Sequence, residues 1–408
     1  LKLKKDIEAK KEDAANKLMQ IQMTAAVFQS SLDAIKNAME DKEVTLENVK
    51  AVDPAGDRNL MIGREILMQA LAEQPIGDIG EFQDEVNKQI EAETDYYAKQ
   101  STYYDPDFDS REIVGDNYAD AYEKGYGNND VRGPDSQHGT HVAGIIAAVR
   151  NNDIGIDGVA DNVRIMSIRA VPDGDERDKD VANAIIYAVD NGASVINMSF
   201  GKGYSWDKEA VDKAVKYAQK KDVLLVHAAG NSAQDNDTSN NFPNDNYKKR
   251  GLFKPKRAKN WLEVGALSWK GGEDAVATFS NYGQGNVDVF APGVDIYSTT
   301  PDQGYEFLSG TSMASPATAG VAAILRSYYP SLSAVQVKEI LMTSTTKINR
   351  KVKKPGSGEK VNFSDLSQTG GVINAYEAVK LAAQTKGKKK GETPAMRAAI
   401  NKKNVCIR

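Results

Sequence analysis

A single cysteine, Cys406, rules out a disulfide framework and a thiolate metal cluster. Three histidines in 408 residues are too few for a His-rich metal site. No apolar run approaches the roughly 18 residues of a membrane span. No basic n-region followed by an apolar h-region opens the chain, as it would in a secretory signal. Charge of one sign is also missing: 52 Lys and Arg stand against 57 Asp and Glu, and the net −5 argues against a nucleic-acid partner. The first residue is Leu1, so the sequence reads as a processed product or an excerpt. What is present, 40% hydrophobic residues over this length, can bury at least one large core and predicts two structural units.

Residues 1–105 are charged, poor in glycine and helical in period. Leu18, Ile21, Ala25, Phe28, Leu32, Ile35 and Met39 recur at spacings of three and four, which makes one apolar stripe on a long amphipathic helix. Thr45 can cap a second helix, Leu60 to Leu71 suggests a third, and Phe82, Val86 and Ile90 suggest a fourth. An all-helical subdomain without visible chemistry is expected. Over 106–385 short aliphatic strands alternate with helices. The stretches 163–171 (VRIMSIRAV), 193–199, 222–230 and 261–268 read as strands, while 180–192 and 207–221 show helical spacing, the first closed by Gly192. This alternation predicts an α/β doubly wound, mostly parallel sheet, with ligand groups beyond the carboxyl ends of its strands. Residues 386–408 form a basic C-terminal extension, read as solvated.

Three stretches carry chemistry. In LSGTSMASPATAGVAAIL, 308–325, nearly every position after Met313 is apolar or small, so a helix there is surrounded by protein. Pro316 is tolerated only near a helix start, which puts Ser312 at the positive end, where unpaired amides collect. An ordinary N-cap serine is the competing reading. In HGTHVAGIIAA, 138–148, His138 stands at a second helix mouth, and imidazole is the base suited to activating a hydroxyl at neutral pH. A structural histidine is the bland alternative. In HAAGNSAQDND, strand 222–230 ends at Gly230 and Asn231, whose side-chain amide can donate to an oxyanion without adding charge; a turn asparagine is the plain reading. His141 is expected to pack within its helix, and His227 lies in a strand.

HGTHVAG, AAGN and GTSMASP, in this order on a strand and helix alternation, resemble the subtilisin-like serine proteases, the subtilases. The resemblance covers residues 110–385 and implies His138 as general base, Ser312 as nucleophile and Asn231 as oxyanion donor. It implies a polypeptide substrate lying beside 198–201 (MSFG), with Ser199, Phe200, Gly201 and Gly230 as binding residues; Phe200 and its small neighbours hint at a roomy apolar pocket. The late segment 279–293 matches a structural part of the family's sheet. No cofactor is required and no metal ligand is singled out, although structural calcium is an option in the polar run 233–241. Secretion or a periplasmic location, synthesis as a precursor and an inhibitory pro-segment are implied too.

The family's aspartate, at the end of an aliphatic strand before the histidine, has no counterpart here. Asp116, Asp53 and Asp135 read as turn, cap or local structural carboxylates. The economical expectation places the aspartate and its strand before Leu1, with the N-terminal helices an insertion between them and His138. On that expectation the full-length precursor is an active endopeptidase and this segment alone is not, because a wrongly oriented imidazole lowers kcat by about 10⁴. A groove-bearing peptide-binding protein without catalysis is the alternative. An unrelated esterase is disfavoured, since GTSMASP is not a G-x-S-x-G elbow.

Overall fold

A computed structural model describes residues 2–39, 42–73, 75–105, 107–172, 174, 176–248 and 256–388. It divides into two units, 1–113 and 114–408. Of the basic extension expected over 386–408, residues 389–408 lie outside the described residues.

The first unit holds α1 (Lys2–Met39), α2 (Leu46–Lys50), α3 (Arg58–Glu73) and α4 (Ile79–Tyr103). Thr45 caps α2 by accepting the Asn48 amide at 3.2 Å, and Asp78 caps α4 through Glu81 at 2.9 Å. The stripe on α1 buries its C-terminal half: Leu32, Ile35 and Met39 are buried with Val49, Leu67 and Ile79, while Leu18, Ile21 and Phe28 are half-buried. Asp53 accepts the Ala55 amide in a turn.

In the second unit α5 (Arg111–Val114) runs across the division, and α6 (Gln137–Ala147) and α7 (Asp178–Asp190) lead to the first strand. There follow β1 (Val195–Met198), α8 (Lys208–Lys220), β2 (Leu224–Ala228), β3 (Trp261–Leu267), β4 (Val289–Pro292), β5 (Ile296–Thr299), β6 (Tyr305–Leu308), α9 (Thr311–Tyr328), α10 (Ala334–Thr343), β7 (Thr346–Lys347), β8 (Lys351–Lys353), β9 (Lys360–Asn362), β10 (Gly371–Val372) and α11 (Ala375–Gln384). The main sheet runs β1-β2-β3-β4-β10-β7, parallel throughout except for β7. Its strands alternate their faces. Leu224, Val226, Leu262 and Val264 meet α9, α10 and α11, whereas Met198, Leu225 and Trp261 meet α7 and α8. Helices on both faces make the sheet doubly wound, as the alternation predicts. Gly192, just past α7, takes φ +88°, the left-handed stop that glycine supplies.

One expected strand is missing. Residues 163–171 have strand composition, yet no ladder joins them to a neighbour among the described residues, and β1 forms the sheet's edge. Ile165, Met166 and Val171 stay 48%, 41% and 38% exposed. Composition supplies one side of a ladder only; without a partner strand the segment remains extended coil.

Candidate active site

Helix α9 begins one residue before Ser312, with Gly310 at the N-cap position, so Ser312 lies within the first turn and the N-cap reading is overturned. The helix is enclosed because the positions from Met313 to Leu325 that face β1 to β4 are small enough to let the strands approach; Ala314, Ala319 and Ala322 are all buried. Pro316, sixth in the helix, lacks the N–H that would bond the Ser312 carbonyl, and that carbonyl accepts from the Ser199 hydroxyl instead.

Asn231 sits one residue beyond the β2 turn, where Gly230 takes φ +105°. Its Oδ1 accepts from both the Thr311 amide and the Thr311 hydroxyl, each at 2.9 Å. Since both partners donate, that end of the carboxamide is the oxygen, and Nδ2 is left free to donate. The Thr311 hydroxyl also accepts the Gly230 amide at 3.1 Å. Thr311 thereby joins the end of β2 to the first residue of α9. The Ser312 amide, second in the helix, has no intrahelical acceptor. It and Asn231 Nδ2 are donors with no acceptor among the described residues, at the positive end of the helix.

Beyond β1, Ser199 binds Ser312 twice. The Ser312 hydroxyl donates to the Ser199 carbonyl at 3.2 Å, and the Ser199 hydroxyl donates to the Ser312 carbonyl at 2.8 Å. The line continues through Asn197 Nδ2, which donates to the Ser199 hydroxyl at 2.9 Å, and Asn197 Oδ1, which accepts from Ser315 at 2.7 Å. Phe200 turns its ring edge-on to His227, with centroids 6.2 Å apart. A side chain on Gly201 would run into Asn241, and one on Gly230 would meet Asn281 Nδ2 at 2.5 Å, so glycine is required at both positions.

His138 is the second residue of α6. Helices α6 and α9 pack together, and a side chain on Gly320 would meet Val159, itself bonded to the end of α6, at 2.6 Å, and the Ile146 carbonyl at 3.6 Å. The start of α6 instead touches β6, the strand that leads into α9: His141 Nε2 lies 3.1 Å from the Glu306 carbonyl. His138 and Ser312 each lie eight residues, about 12 Å of helix, before the contact of Ile146 with Gly320. The Ser312 hydroxyl is turned to Ser199 rather than to the imidazole. Burial holds the His138 pKa below its ordinary 6.5, with His141 acting in the same direction and Asp135 against it.

No carboxylate among the described residues hydrogen-bonds to His138. Asp135 accepts the Gln137 amide at 2.8 Å, and the buried Asp116 carboxylate is bound to the buried Lys179 ammonium. The polar run 233–241 turns its oxygens to protein donors: Asp235 accepts the Asp237 amide, and Asp237 accepts from the Gly285 amide and from Asn286. No group of three acidic, His or Cys side chains suited to a metal occurs among the described residues.

Sequence reasoning missed Thr311 and the asparagines 197, 241 and 281. Asn281 is buried at 4% exposure; its Oδ1 accepts the Ser232 and Gln234 amides at 2.9 and 3.0 Å, and its Nδ2 donates to Asn236 at 3.0 Å. The available signal was a carboxamide inside an apolar or glycine-rich setting, where a polar side chain persists only if it is bonded.

The doubly wound parallel sheet, with Asn231 just past β2 joined through Thr311 to the start of the serine-bearing helix, is an arrangement of the subtilisin class. The sequence pattern of the subtilase family matches residues 7–370, and the chain belongs to that family. It is 38% identical over 279 residues to a thermophilic serine proteinase of Bacillus sp. strain AK1, covering 68% of this chain and 59% of that one. It is 39% identical over 214 residues to subtilisin DY of Bacillus licheniformis, covering 52% and 71%. A solved protease of Pseudoalteromonas arctica aligns with a TM-score of 0.48 at 28% identity, over 64% of this chain and 74% of that one. The chain thus spans 59% of the length of the first relative. No helix among the described residues is long and apolar enough to cross a membrane.

Proposed function

We propose that this chain carries the machinery of a serine endopeptidase. Ser312 attacks the scissile carbonyl of a polypeptide, His138 takes and returns the proton, and Asn231 Nδ2 with the Ser312 amide stabilises the oxyanion. Ser199, Phe200, Gly201 and Gly230 border the bound peptide, which adds to 199–201 as an extended strand and is read main chain first. The observation that carries this reading is the Thr311 bridge, because it fixes Asn231 with its donor end free beside the serine. Attack requires the Ser312 hydroxyl to rotate from Ser199 toward His138. Secretion and an inhibitory pro-segment belong to the proposal through the family alone.

An imidazole without an orienting carboxylate works about 10⁴-fold below a complete triad, and oxyanion stabilisation sustains what remains. Slow turnover with intact active-site labelling is the expected behaviour of this chain. A phosphonate directed at serine hydrolases should label Ser312, and Ser312→Ala should abolish labelling; labelling that persists in the variant removes Ser312 from the role. That no carboxylate among the described residues binds His138 also favours a second reading, a peptide-binding subtilase without catalysis. Saturable binding of a peptide by a protein that resists the phosphonate would select it.

A further inference from the structure

The chain as a whole carries a charge of −5, yet one surface of it is positive. Helix α8 with residue 221, and the two segments 245–248 and 256–259 that lie along it, hold nine Lys and Arg against three Asp and Glu. The segments pair through the Asn246–Arg257 bridge, with the Tyr247 amide donating to the Lys256 carbonyl at 3.0 Å. They are seated on one ridge of α8. The Lys248 amide donates to Asp212 at 2.7 Å, the Lys216 ammonium lies 4.2 Å from the centre of the Tyr247 ring, and the Lys259 amide donates to Gln219 at 3.0 Å. Positions 212, 216 and 219 share a helix face, so Lys248, Lys256 and Lys259 stand beside Lys216 and Lys220. Those five and Lys221 are exposed, and none meets a carboxylate among the described residues. The carboxylates nearby are otherwise engaged. Buried Asp212 holds the Lys208 ammonium at 2.7 Å, Glu209 faces Lys213 at 3.8 Å, and Asp245 is half-buried. At the borders, Asp190 accepts the Tyr217 hydroxyl and Asp222 binds Arg326.

Lysine is a compact, strongly hydrated point charge, whereas the planar fork of arginine is what grips a single phosphate or sulfate. The one arginine of these segments, Arg257, is turned inward, its guanidinium given to Asn246, Asn286 and the Gly285 carbonyl. A face of exposed lysines alone suits charge that is spread over a surface rather than fixed in one discrete group. We infer that this face docks the protein on an anionic lipid bilayer. Each lysine near such a surface contributes about fivefold in affinity, so six together hold where one would not. The face also sets which end of the sheet meets the lipid. Lys221 precedes β2, which starts at Leu224, and Lys259 precedes β3, which starts at Trp261, so both lie at the amino edge. Asn231 and Ser312 lie past the carboxyl edge, beyond the five residues of β2, about 17 Å of strand. The docked protein therefore keeps its serine on the side away from the lipid.

The test sediments the whole chain with vesicles of phosphatidylcholine alone, and with vesicles of two parts phosphatidylcholine to one part phosphatidylserine. At about 0.1 M salt the anionic vesicles should carry the protein down and the neutral ones should not; at about 0.5 M, where screening is stronger, binding should be lost. The triple variant Lys216→Gln, Lys220→Gln and Lys259→Gln should bind about 100-fold more weakly. Glutamine at Lys351, Lys360 and Lys380 changes the net charge equally on other elements and should leave binding unchanged. Equal sedimentation with both vesicles, binding that persists at high salt, or two triple variants that behave alike overturn the inference. So does binding to heparin that outlasts binding to the vesicles as salt rises, which assigns the face to a sulfated polymer. Phosphonate labelling of Ser312 should run as fast on bound protein as on free protein. Labelling lost only on vesicles overturns the orientation, whereas no labelling in either state overturns the protease reading and leaves the docking surface standing.

Discussion

Replacing Asn281 by alanine tests whether the oxyanion donor is held in place from behind. Its Oδ1 accepts the amides of Ser232 and Gln234, which flank Asn231 on its C-terminal side, and its Nδ2 donates to Asn236, whose own Nδ2 holds the Ala229 carbonyl at 2.9 Å. Alanine leaves two backbone donors without an acceptor, at about 1–3 kcal/mol each, and removes one further bond worth about 1 kcal/mol. The loss should total about 3–7 kcal/mol, large against a typical domain stability of about 5–15 kcal/mol. The backbone bond from the Asn281 amide to the Gly230 carbonyl, 2.8 Å, is untouched, so the loop loosens without detaching. Urea unfolding followed by tryptophan fluorescence reads this unit well: Trp261 is 1% exposed, while Trp206 and Trp269 are 86% and 70% exposed and contribute little change. Turnover should fall as well, by about 10² if Asn231 shifts by an ångström. Asn281→Asp keeps both acceptors and should recover at least half of the stability loss. An alanine variant within about 1 kcal/mol of wild type, or an aspartate variant no better than alanine, refutes the reasoning.

Because burial lowers the His138 pKa, the acid limb of kcat/KM should lie below 6.5, and Asp135→Asn should move it lower still, since Asp135 opposes the shift; an upward move in a pH–rate profile contradicts the stated causes. The same shift makes stability rise with pH across the window from the folded value up to 6.5, because there the unfolded chain binds the proton more readily. Burial raises Asp245 to about 6 despite opposing attraction from Arg257 and Lys338, so the fold loses stability as pH climbs from about 4 to about 6. Asp245→Asn should therefore gain about 1–2 kcal/mol at pH 8 after allowance for solvent screening and nothing at pH 3.5, as measured by thermal melts at both. Glu263 accepts from Trp261 Nε1 at 2.7 Å and His227 Nδ1 at 3.0 Å; Glu263→Ala should cost about 3 kcal/mol or more in urea unfolding and Glu263→Gln less, since its amide oxygen can keep one of the two donors.

The parts of this molecule that repeat locally were legible in its sequence. The α1 stripe, the Thr45 cap, the Gly192 stop and strands β1 to β3 follow from period, cap chemistry and aliphatic runs, each readable within a dozen residues. So were the two helix mouths, because Pro316 and the small residues after Ser312 limit where α9 can begin. Segment 163–171 was misread for the converse reason: pairing is a property of two segments, and one of them cannot announce the other. Thr311, Asn281 and Asn241 stayed hidden because their partners are remote. Thr311 meets a residue 80 positions away and Asn281 two residues 47 and 49 away. An asparagine near a turn reads as a turn residue until the distant amides it serves are in view.

The unladdered stretch from Val163 to Val171 has a cost in handling. Its aliphatic side chains and the free margin of β1 are what a second molecule needs in order to zip on by main-chain bonds, and the rim carries no proline to deter it. Concentrated solutions of this chain should therefore self-associate through that rim, and a charged residue in place of Met166 is the smallest change that should keep them clear.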